Sequence, residues 1–335
     1  MLRIAVLGCG RIGRMHAANI AAHPRAQLIA VYDVNQSAAD AVAAQHEVRA
    51  FGSAEEVFAS RDVDAVLVAT VTDTHADYIE RAVAAGKPVL CEKPIDLSLE
   101  RVNRCADAVR SKGVPIQIGF NRRFDPGHRA AWKAARSGEI GELHQVIITS
   151  RDPGMPPRSY YQAAGGLFRD MTIHDFDLAR FMLAEEPEEV FAVGGRLIDP
   201  SMMEELNDYD SAMIVMRTSS GKQCHINNSR TSTYGYDQRV ELLGSAGMVI
   251  SENRRADELR RYSAARSEAA APYLDFFIER YREAFDAEID AFVTSVEQGE
   301  APQVGFEDGR RALILAEAAM KSAVEGRSVN VGEIK

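Results

Sequence analysis

The chain has 335 residues, a net charge of −10 at pH 7, and a composition that is 46% hydrophobic and 26% charged. This length favours about two domains, and the acidic balance argues against a nucleic-acid partner. No apolar stretch is long enough to span a bilayer, and four scattered cysteines form no disulfide framework or zinc motif. Because the first strand pattern begins at residue 2, we expect no signal peptide. We therefore expect a cytoplasmic protein with no membrane partner and no bound metal.

The chain begins with a buried-strand pattern over residues 2–7 that runs directly into Gly8, Gly10 and Gly13. The spacing G-x-G-x-x-G, followed by a helical stretch over 14–22, is typical of a turn that binds a dinucleotide pyrophosphate at a helix N-terminus. A second strand pattern over 28–32 ends in Asp33, where a carboxylate would accept hydrogen bonds from a ribose and repel a 2′-phosphate. These features predict NAD binding, with NAD favoured over NADP. A glycine-rich turn without a ligand is the alternative.

Strand and helix patterns alternate up to about residue 122. We predict strands at 48–51, 63–69, 88–92 and 115–120 and helices at 36–45, 54–59, 74–85 and 99–111. This alternation predicts a doubly wound parallel sheet, and hence a Rossmann domain over residues 1–122.

The regular alternation of strand and helix patterns ends after about residue 122. A helix at 126–137 precedes strand patterns at 144–151, 189–197, 211–218, 222–230, 238–244 and 248–252, and helices follow at 274–297 and 306–324. The turn at 219–222 predicts a hairpin. We expect an α+β domain over residues 123–335 with a large, open, mostly antiparallel sheet. Because an open sheet needs its second face covered, we also expect a symmetric oligomer.

Two groups of residues could carry proton-transfer chemistry. Lys93 follows a buried strand on the same edge as the glycine turn, where it would point toward the nicotinamide; a surface lysine is the alternative. Asp170 and His174 are four residues apart at the start of an apolar helix, so a shared face would let the carboxylate orient a histidine base. A solvated polar face is equally compatible with that pattern, and a metal site that adds Asp177 would have unspecific spacing.

Other polar residues follow predicted strands and could line a substrate pocket. Each could equally form an ordinary loop or salt bridge. They are Asn121, Arg122, Arg151, Asp152 and Tyr234.

Five motifs together resemble the glucose-fructose oxidoreductase/inositol dehydrogenase/MocA family. They are residues 8–13, Asp33, residues 72–75, residues 91–94 and the helix with Asp170 and His174. Four later segments, at 119–126, 150–153, 168–177 and 234–239, resemble its inositol-dehydrogenase branch. Within residues 150–153, however, the polar pair differs from the one that other inositol dehydrogenases carry, so the resemblance does not assign the substrate contacts of this strand.

The resemblance implies NAD-dependent oxidation of myo-inositol to 2-keto-myo-inositol by a homotetramer. It implies a catalytic set of Lys93, Asp170 and His174, with the substrate held between the domains. The implied cofactor-binding residues are Gly8, Gly10, Arg11, Ile12, Gly13, Asp33, Thr70, Thr72, His75, Glu92 and Lys93. The implied substrate-binding residues are Lys93, Asn121, Arg122, Arg151, Asp152, Asp170, His174 and Tyr234.

Three alternative functions are also compatible with these residues. The same chemistry could act on scyllo-inositol, another inositol isomer or a pyranose such as a glucose enantiomer. The chain could be an NAD-using glycoside hydrolase, which would produce no net NADH. It could also be a non-enzymatic NAD-binding regulator, although such a protein has no need of a proton-transfer set.

Overall fold

The computed structural model describes residues 1–335 and divides them into two compact units. The first unit comprises residues 1–121, 283–313 and 335, and the second comprises residues 122–282 and 314–334. We expected residues 283–313 in the second domain, but they group with the first unit.

The first unit is built on a six-stranded parallel sheet with the order β3-β2-β1-β4-β5-β6. Its strands are β1 (Leu2–Leu7), β2 (Ala26–Tyr32), β3 (Arg49–Ala50), β4 (Ala65–Val68), β5 (Val89–Cys91) and β6 (Ile116–Ile118). The connecting helices are α1 (Arg11–Ala22), α2 (Gln36–His46), α3 (Ala54–Ala59), α4 (His75–Ala84) and α5 (Leu99–Val109). The predicted doubly wound sheet is confirmed. Its strand order reverses next to β1, where such sheets bind ligands at the carboxyl ends of their strands.

The local sequence explains these elements. All four residues of β4 are buried, as expected for a parallel strand covered on both faces. Side chains of Asn35, Ser53 and Ser98 accept hydrogen bonds from backbone N–H groups in the first turns of α2, α3 and α5. These caps fix where each helix begins, because they satisfy donors that have no partner within the helix.

The second unit contains a seven-stranded sheet with the order β12-β11-β7-β10-β9-β8-β15. Its strands are β7 (Leu143–Arg151), β8 (Pro187–Gly195), β9 (Ser211–Thr218), β10 (Gln223–Ser229), β11 (Asp237–Gly244), β12 (Met248–Ser251) and β15 (Val329–Asn330). Every pair is antiparallel except β7 with β10, so the mostly antiparallel sheet and the β9–β10 hairpin are confirmed.

Helices α6 (Pro126–Arg136), α7 (Arg158–Ala164), α8 (Ile173–Leu183), α9 (Pro200–Glu205) and α10 (Phe277–Arg280) complete the second unit, together with a small hairpin of β13 (Arg260–Ser263) and β14 (Arg266–Ala270). The sequence patterns did not predict α7, α9 or this hairpin. The hairpin is largely exposed and lacks the alternating apolar residues that indicate a strand.

Two long helices follow, α11 (Arg282–Gln298) and α12 (Phe306–Glu325). In α11, Ile289, Phe292 and Val293 are buried in one hydrophobic cluster with Val6 of β1 and Ile20 of α1. This shared core is the reason why the segment groups with the first unit. None of the helices combines the length and the apolar character needed to cross a membrane.

The large sheet has one buried and one exposed face. Along β9, Ile214 and Met216 are buried, whereas Met213 and Val215 are 57% and 49% exposed. The neighbouring strand β8 follows the same alternation, so apolar side chains remain exposed on one face of the sheet.

Candidate active site

The glycine turn between β1 and α1 is fixed by close backbone contacts. Gly8 has a φ of +97°, and a Cβ atom there would lie 2.3 Å from the carbonyl oxygen of Ala69. A Cβ atom on Gly13 would lie 1.8 Å from the carbonyl oxygen of Gly8. Both positions therefore require glycine, and they allow the chain to enter α1 directly from the carboxyl end of β1.

The second glycine of the turn has a different environment. A Cβ atom on Gly10 would meet no other atom within 4 Å. No side chain caps the N-terminus of α1, and its first turn carries no acidic residue. The open space and the uncapped N–H groups fit an incoming pyrophosphate. Arg11 and Ile12 begin the helix, and Arg11 is exposed.

Asp33 follows β2 and is held in place by backbone donors. Its Oδ2 accepts a hydrogen bond from the N–H of Cys9 at 2.7 Å, and its Oδ1 accepts one from the N–H of Asn35 at 2.8 Å. These contacts fix the carboxylate beside the glycine turn. Each oxygen has a further lone pair for a ribose hydroxyl. The predicted ribose contact therefore fits the geometry.

The side chain of His75 contacts the loops after β4 and β5. Its Nδ1 lies 2.8 Å from the carbonyl oxygen of Pro94, and its Nε2 lies 3.1 Å from that of Thr70. Burial lowers the pKa of His75, so the ring is neutral and its single N–H donates to one of these two carbonyls. The buried ring thus lies between these two loops and forms a hydrogen bond with one of them. Thr70 and Thr72 are only partly buried.

Lys93 lies directly after β5 in the first unit and is partly buried. Its neighbour Glu92 accepts a hydrogen bond from His16 Nε2 at 2.8 Å. A Cβ atom on Gly119 would lie 3.0 Å from Glu92 Oε2, so the glycine leaves room for this carboxylate. Glu92 is therefore anchored within the protein next to the predicted catalytic lysine.

In the second unit, a π-helical turn over residues 168–172 leads into α8. Asp170 lies within this turn and is buried. Of residues 171–179, only His174 is partly exposed, and the others are buried. The backbone thus presents one titratable imidazole at the start of an otherwise buried helix, and the carboxylate of Asp170 lies in the preceding turn.

Two residues that the sequence did not indicate hold Asp170. The hydroxyl of Tyr160 donates a hydrogen bond to Asp170 Oδ1 at 2.9 Å, and Arg230 Nη2 donates one to Oδ2 at 2.8 Å. Arg230 also donates from Nη1 to Asp152 Oδ2 at 3.0 Å. The guanidinium therefore bridges two of the predicted site carboxylates.

Charge and burial act in opposite directions on this cluster. Burial of Arg230 favours its neutral form, but the carboxylates of Asp170 and Asp152 raise its pKa above the ordinary value. Burial raises the pKa of Asp152, while Arg230 opposes that shift. The arginine remains a cation, and its charge favours the ionised form of the carboxylates that it contacts.

Arg122, a predicted substrate contact, has several partners within the second unit. Its guanidinium is buried, pairs with Asp175 and donates to Ser150 Oγ at 3.3 Å. Asp175 also accepts a hydrogen bond from Asn228 Nδ2 at 2.8 Å. Arg122 is therefore part of the internal polar network of the second unit. Asn121 is also buried, at the end of the first segment of the other unit.

The other predicted substrate residues form a second network. Arg151 donates from Nη1 to the hydroxyl of Tyr234 at 2.6 Å and from Nε to Asn227 Oδ1 at 3.1 Å. The same hydroxyl donates to Asp237 Oδ2 at 2.9 Å, and Arg239 forms two hydrogen bonds to that carboxylate. Tyr234 is 42% exposed, so this network reaches the surface and offers polar groups to a ligand.

Comparison with known proteins extends over both units. The family model described as "Oxidoreductase family, NAD-binding Rossmann fold" matches residues 2–120, and the "GFO/IDH/MocA C-terminal domain" matches residues 128–250. An inositol 2-dehydrogenase of Rhizobium meliloti (strain 1021) is 46% identical over 332 residues, which cover 98% of this chain and 99% of the relative.

Solved structures are similarly close. The crystal structure of a myo-inositol dehydrogenase from Corynebacterium glutamicum ATCC 13032 has a TM-score of 0.95 and 43% identity, and the match covers 98% of both chains. A scyllo-inositol dehydrogenase from Lactobacillus casei with bound NAD(H) and scyllo-inositol has a TM-score of 0.91 and 28% identity, and the match covers 99% of both chains. The chain therefore belongs to the GFO/IDH/MocA oxidoreductase family and is an NAD-dependent oxidoreductase.

Proposed function

We propose that this enzyme oxidises a ring hydroxyl of myo-inositol to the ketone, giving 2-keto-myo-inositol, with NAD as the oxidant. The observation that carries the proposal is the near-complete match to an inositol 2-dehydrogenase, which extends through both units of the chain. The anchored carboxylate of Asp170 and the partly exposed imidazole of His174 support a proton-transfer step.

The chain's own residues would bind the cofactor through the glycine turn and Asp33. Gly10 leaves space for the pyrophosphate. The carboxylate of Asp33 would accept hydrogen bonds from the ribose hydroxyls. Thr70 and Thr72 lie in the loop after β4, which the ring of His75 contacts. When bound, NAD supplies the hydride acceptor.

In this mechanism His174 accepts the proton of the reacting hydroxyl. Asp170 stabilises the positive charge that the imidazole gains, and Arg230 and Tyr160 keep Asp170 in position. The family resemblance assigns to Lys93 the role of stabilising the negative charge that develops on the reacting oxygen. As the carbinol carbon loses its hydride, the C–O bond becomes a carbonyl.

Further polar groups would position the remaining hydroxyls of the ring. Asp152 accepts a hydrogen bond from Arg230. Arg151 and Tyr234 form a hydrogen-bonded network that reaches the surface. Asn121 stays a predicted contact. Arg122 also stays a predicted contact, and its pairing with Asp175 would hold the guanidinium in place.

We also propose that the enzyme is a homotetramer in which the exposed sheet faces of two copies pack together. Val193 lies opposite Met213, and Phe191 lies opposite Val215, so four exposed apolar side chains form one patch on β8 and β9. Such a patch is typical of a protein interface. A cytoplasmic location and a role in carbohydrate catabolism complete the proposal, and four buried, free cysteines support a reducing compartment.

A spectrophotometric assay tests the substrate. Purified protein with NAD⁺ and myo-inositol is expected to form NADH steadily, with a lower kcat/KM for NADP⁺ because Asp33 would repel the 2′-phosphate. A preference for scyllo-inositol, another isomer or a glucose enantiomer would replace the proposed substrate but leave the proposed mechanism unchanged. Absence of NADH formation with the whole panel would contradict the proposal and favour the glycosidase or regulator.

The role of His174 is tested by His174→Ala. Loss of a general base is expected to lower kcat for myo-inositol by about 100-fold or more. The exposed His144→Ala serves as a control and should retain the wild-type rate. Near wild-type turnover in His174→Ala would remove this residue from the mechanism.

The role of Arg230 is tested by Arg230→Lys. The variant keeps a cation but loses the planar group that bridges Asp170 and Asp152, so kcat is expected to fall by roughly 10- to 100-fold. The exposed Arg260→Lys is the control. An unchanged kcat in a folded Arg230→Lys enzyme would show that Arg230 has no positioning role.

The proposed assembly is tested by Met213→Glu. A charge buried in an apolar interface without a partner is unfavourable, so size-exclusion chromatography with light scattering should show smaller particles than the wild-type tetramer. Leu259→Glu, which alters an exposed residue outside the large sheet, should leave the assembly intact. A tetrameric Met213→Glu protein would place the interface elsewhere.

A further inference from the structure

The first unit contains a cluster of three metal-ligating side chains that the proposed reaction does not use directly. His16 comes from α1, Glu92 follows β5, and Glu288 comes from α11. One potential ligand atom from each residue lies within 4.8 Å of the other two. The residues are far apart in the sequence, which explains why no spacing motif indicated the cluster.

Two members of the cluster are buried, Glu92 is partly buried, and part of the cluster's hydrogen-bonding capacity is unused. His16 is 1% exposed and Glu288 is 0% exposed. His16 Nε2 contacts Glu92, but neither carboxylate oxygen of Glu288 has a hydrogen-bond partner, and His16 Nδ1 has none. A buried carboxyl group without a partner is unfavourable, and a ligand that accepts electron pairs would remove that penalty.

A ring contact and a hydrogen bond hold two members of the cluster in position. The ring of Phe285 packs edge-on against His16, with 5.7 Å between ring centroids. Gln117 Nε2 donates a hydrogen bond to the backbone carbonyl of Glu288 at 3.0 Å, which ties α11 to β6. The three donors therefore belong to a built internal site, in contrast to the mobile acidic groups of a protein surface.

The charges of the cluster point to a cation. The ligand atoms of Glu92 and Glu288 lie within 4.8 Å of each other, and both carboxylate oxygens of Glu288 lack a hydrogen-bond partner. Two ionised carboxylates with a neutral imidazole would balance a charge of +2. The mixed nitrogen and oxygen donors fit Zn²⁺ or a similar transition metal better than Mg²⁺ or Ca²⁺, which favour oxygen ligands alone.

We propose that His16, Glu92 and Glu288 bind one divalent transition-metal ion per chain. The ion would crosslink α1, the end of β5 and α11 within the first unit. With three protein ligands, at least one coordination position would remain for water. The site is independent of the proposed substrate, because none of its predicted effects requires turnover.

The experiment uses the full-length protein after removal of metals by a chelator. Isothermal titration with zinc chloride is expected to show one tight site per chain, and zinc should raise Tm more than an equal concentration of magnesium chloride. Glu288→Gln retains the size of the side chain but loses the ionised ligand. We expect its zinc affinity to fall by about tenfold or more.

Two control variants make the test specific. Asp286→Asn removes an exposed carboxylate from the same helix and should retain tight zinc binding. His174→Ala removes an imidazole from the proposed active site in the second unit, and it should also retain the tight site. If Glu288→Gln does not fold, Glu92→Gln provides the same measurement.

Equal zinc affinity in the wild type and Glu288→Gln would overturn the proposal, since the ion would then bind elsewhere. Absence of tight zinc binding to the wild type would also overturn it. The outcome does not depend on the inositol assay, so failure of this site and failure of the proposed function can be told apart.

Discussion

Buried pairing of arginine with aspartate is the interaction on which the second unit depends. Within one short stretch, Asp170, Asp175 and Asp177 each pair with an arginine from another segment: Arg230, Arg122 and Arg123. All six side chains are buried. Loss of one partner from such a pair typically costs about 3–5 kcal/mol, because the remaining charge has no water around it. These pairs fix the start of α8, and with it the position of His174.

The same pairs explain why a site residue can be both structural and functional. Asp177 accepts two hydrogen bonds from Arg123, at 2.5 and 2.7 Å, so both of its oxygens have contacts within the protein. Asp170 lies at the edge of the network, where its arginine also contacts Asp152. The charges that stabilise the second unit thus also set the orientation of the proposed proton-transfer groups.

Much of the first unit could be predicted because its signals are local. Apolar runs, Gly8, Gly10 and Gly13, and Asp33 lie within one short segment, and each has a direct steric or hydrogen-bonding reason in the structure. Arg230 could not be found in this way. It meets Asp152 because β10 pairs in parallel with β7 and aligns Ser229 with Arg151, and this pairing has no signature in either strand alone. The pairing of Arg122 with Asp175 could not be predicted for the same reason, since the two residues lie in distant segments.

The packing of α11 has a consequence for how the chain folds during synthesis. Ile289, Phe292 and Val293 complete the hydrophobic core around β1 and α1, but the ribosome makes them only after residues 122–282. At usual elongation rates this interval lasts roughly ten to thirty seconds. The nascent N-terminal sheet therefore carries an uncovered apolar surface throughout that time, and this is the stage at which a chaperone would protect the chain from aggregation.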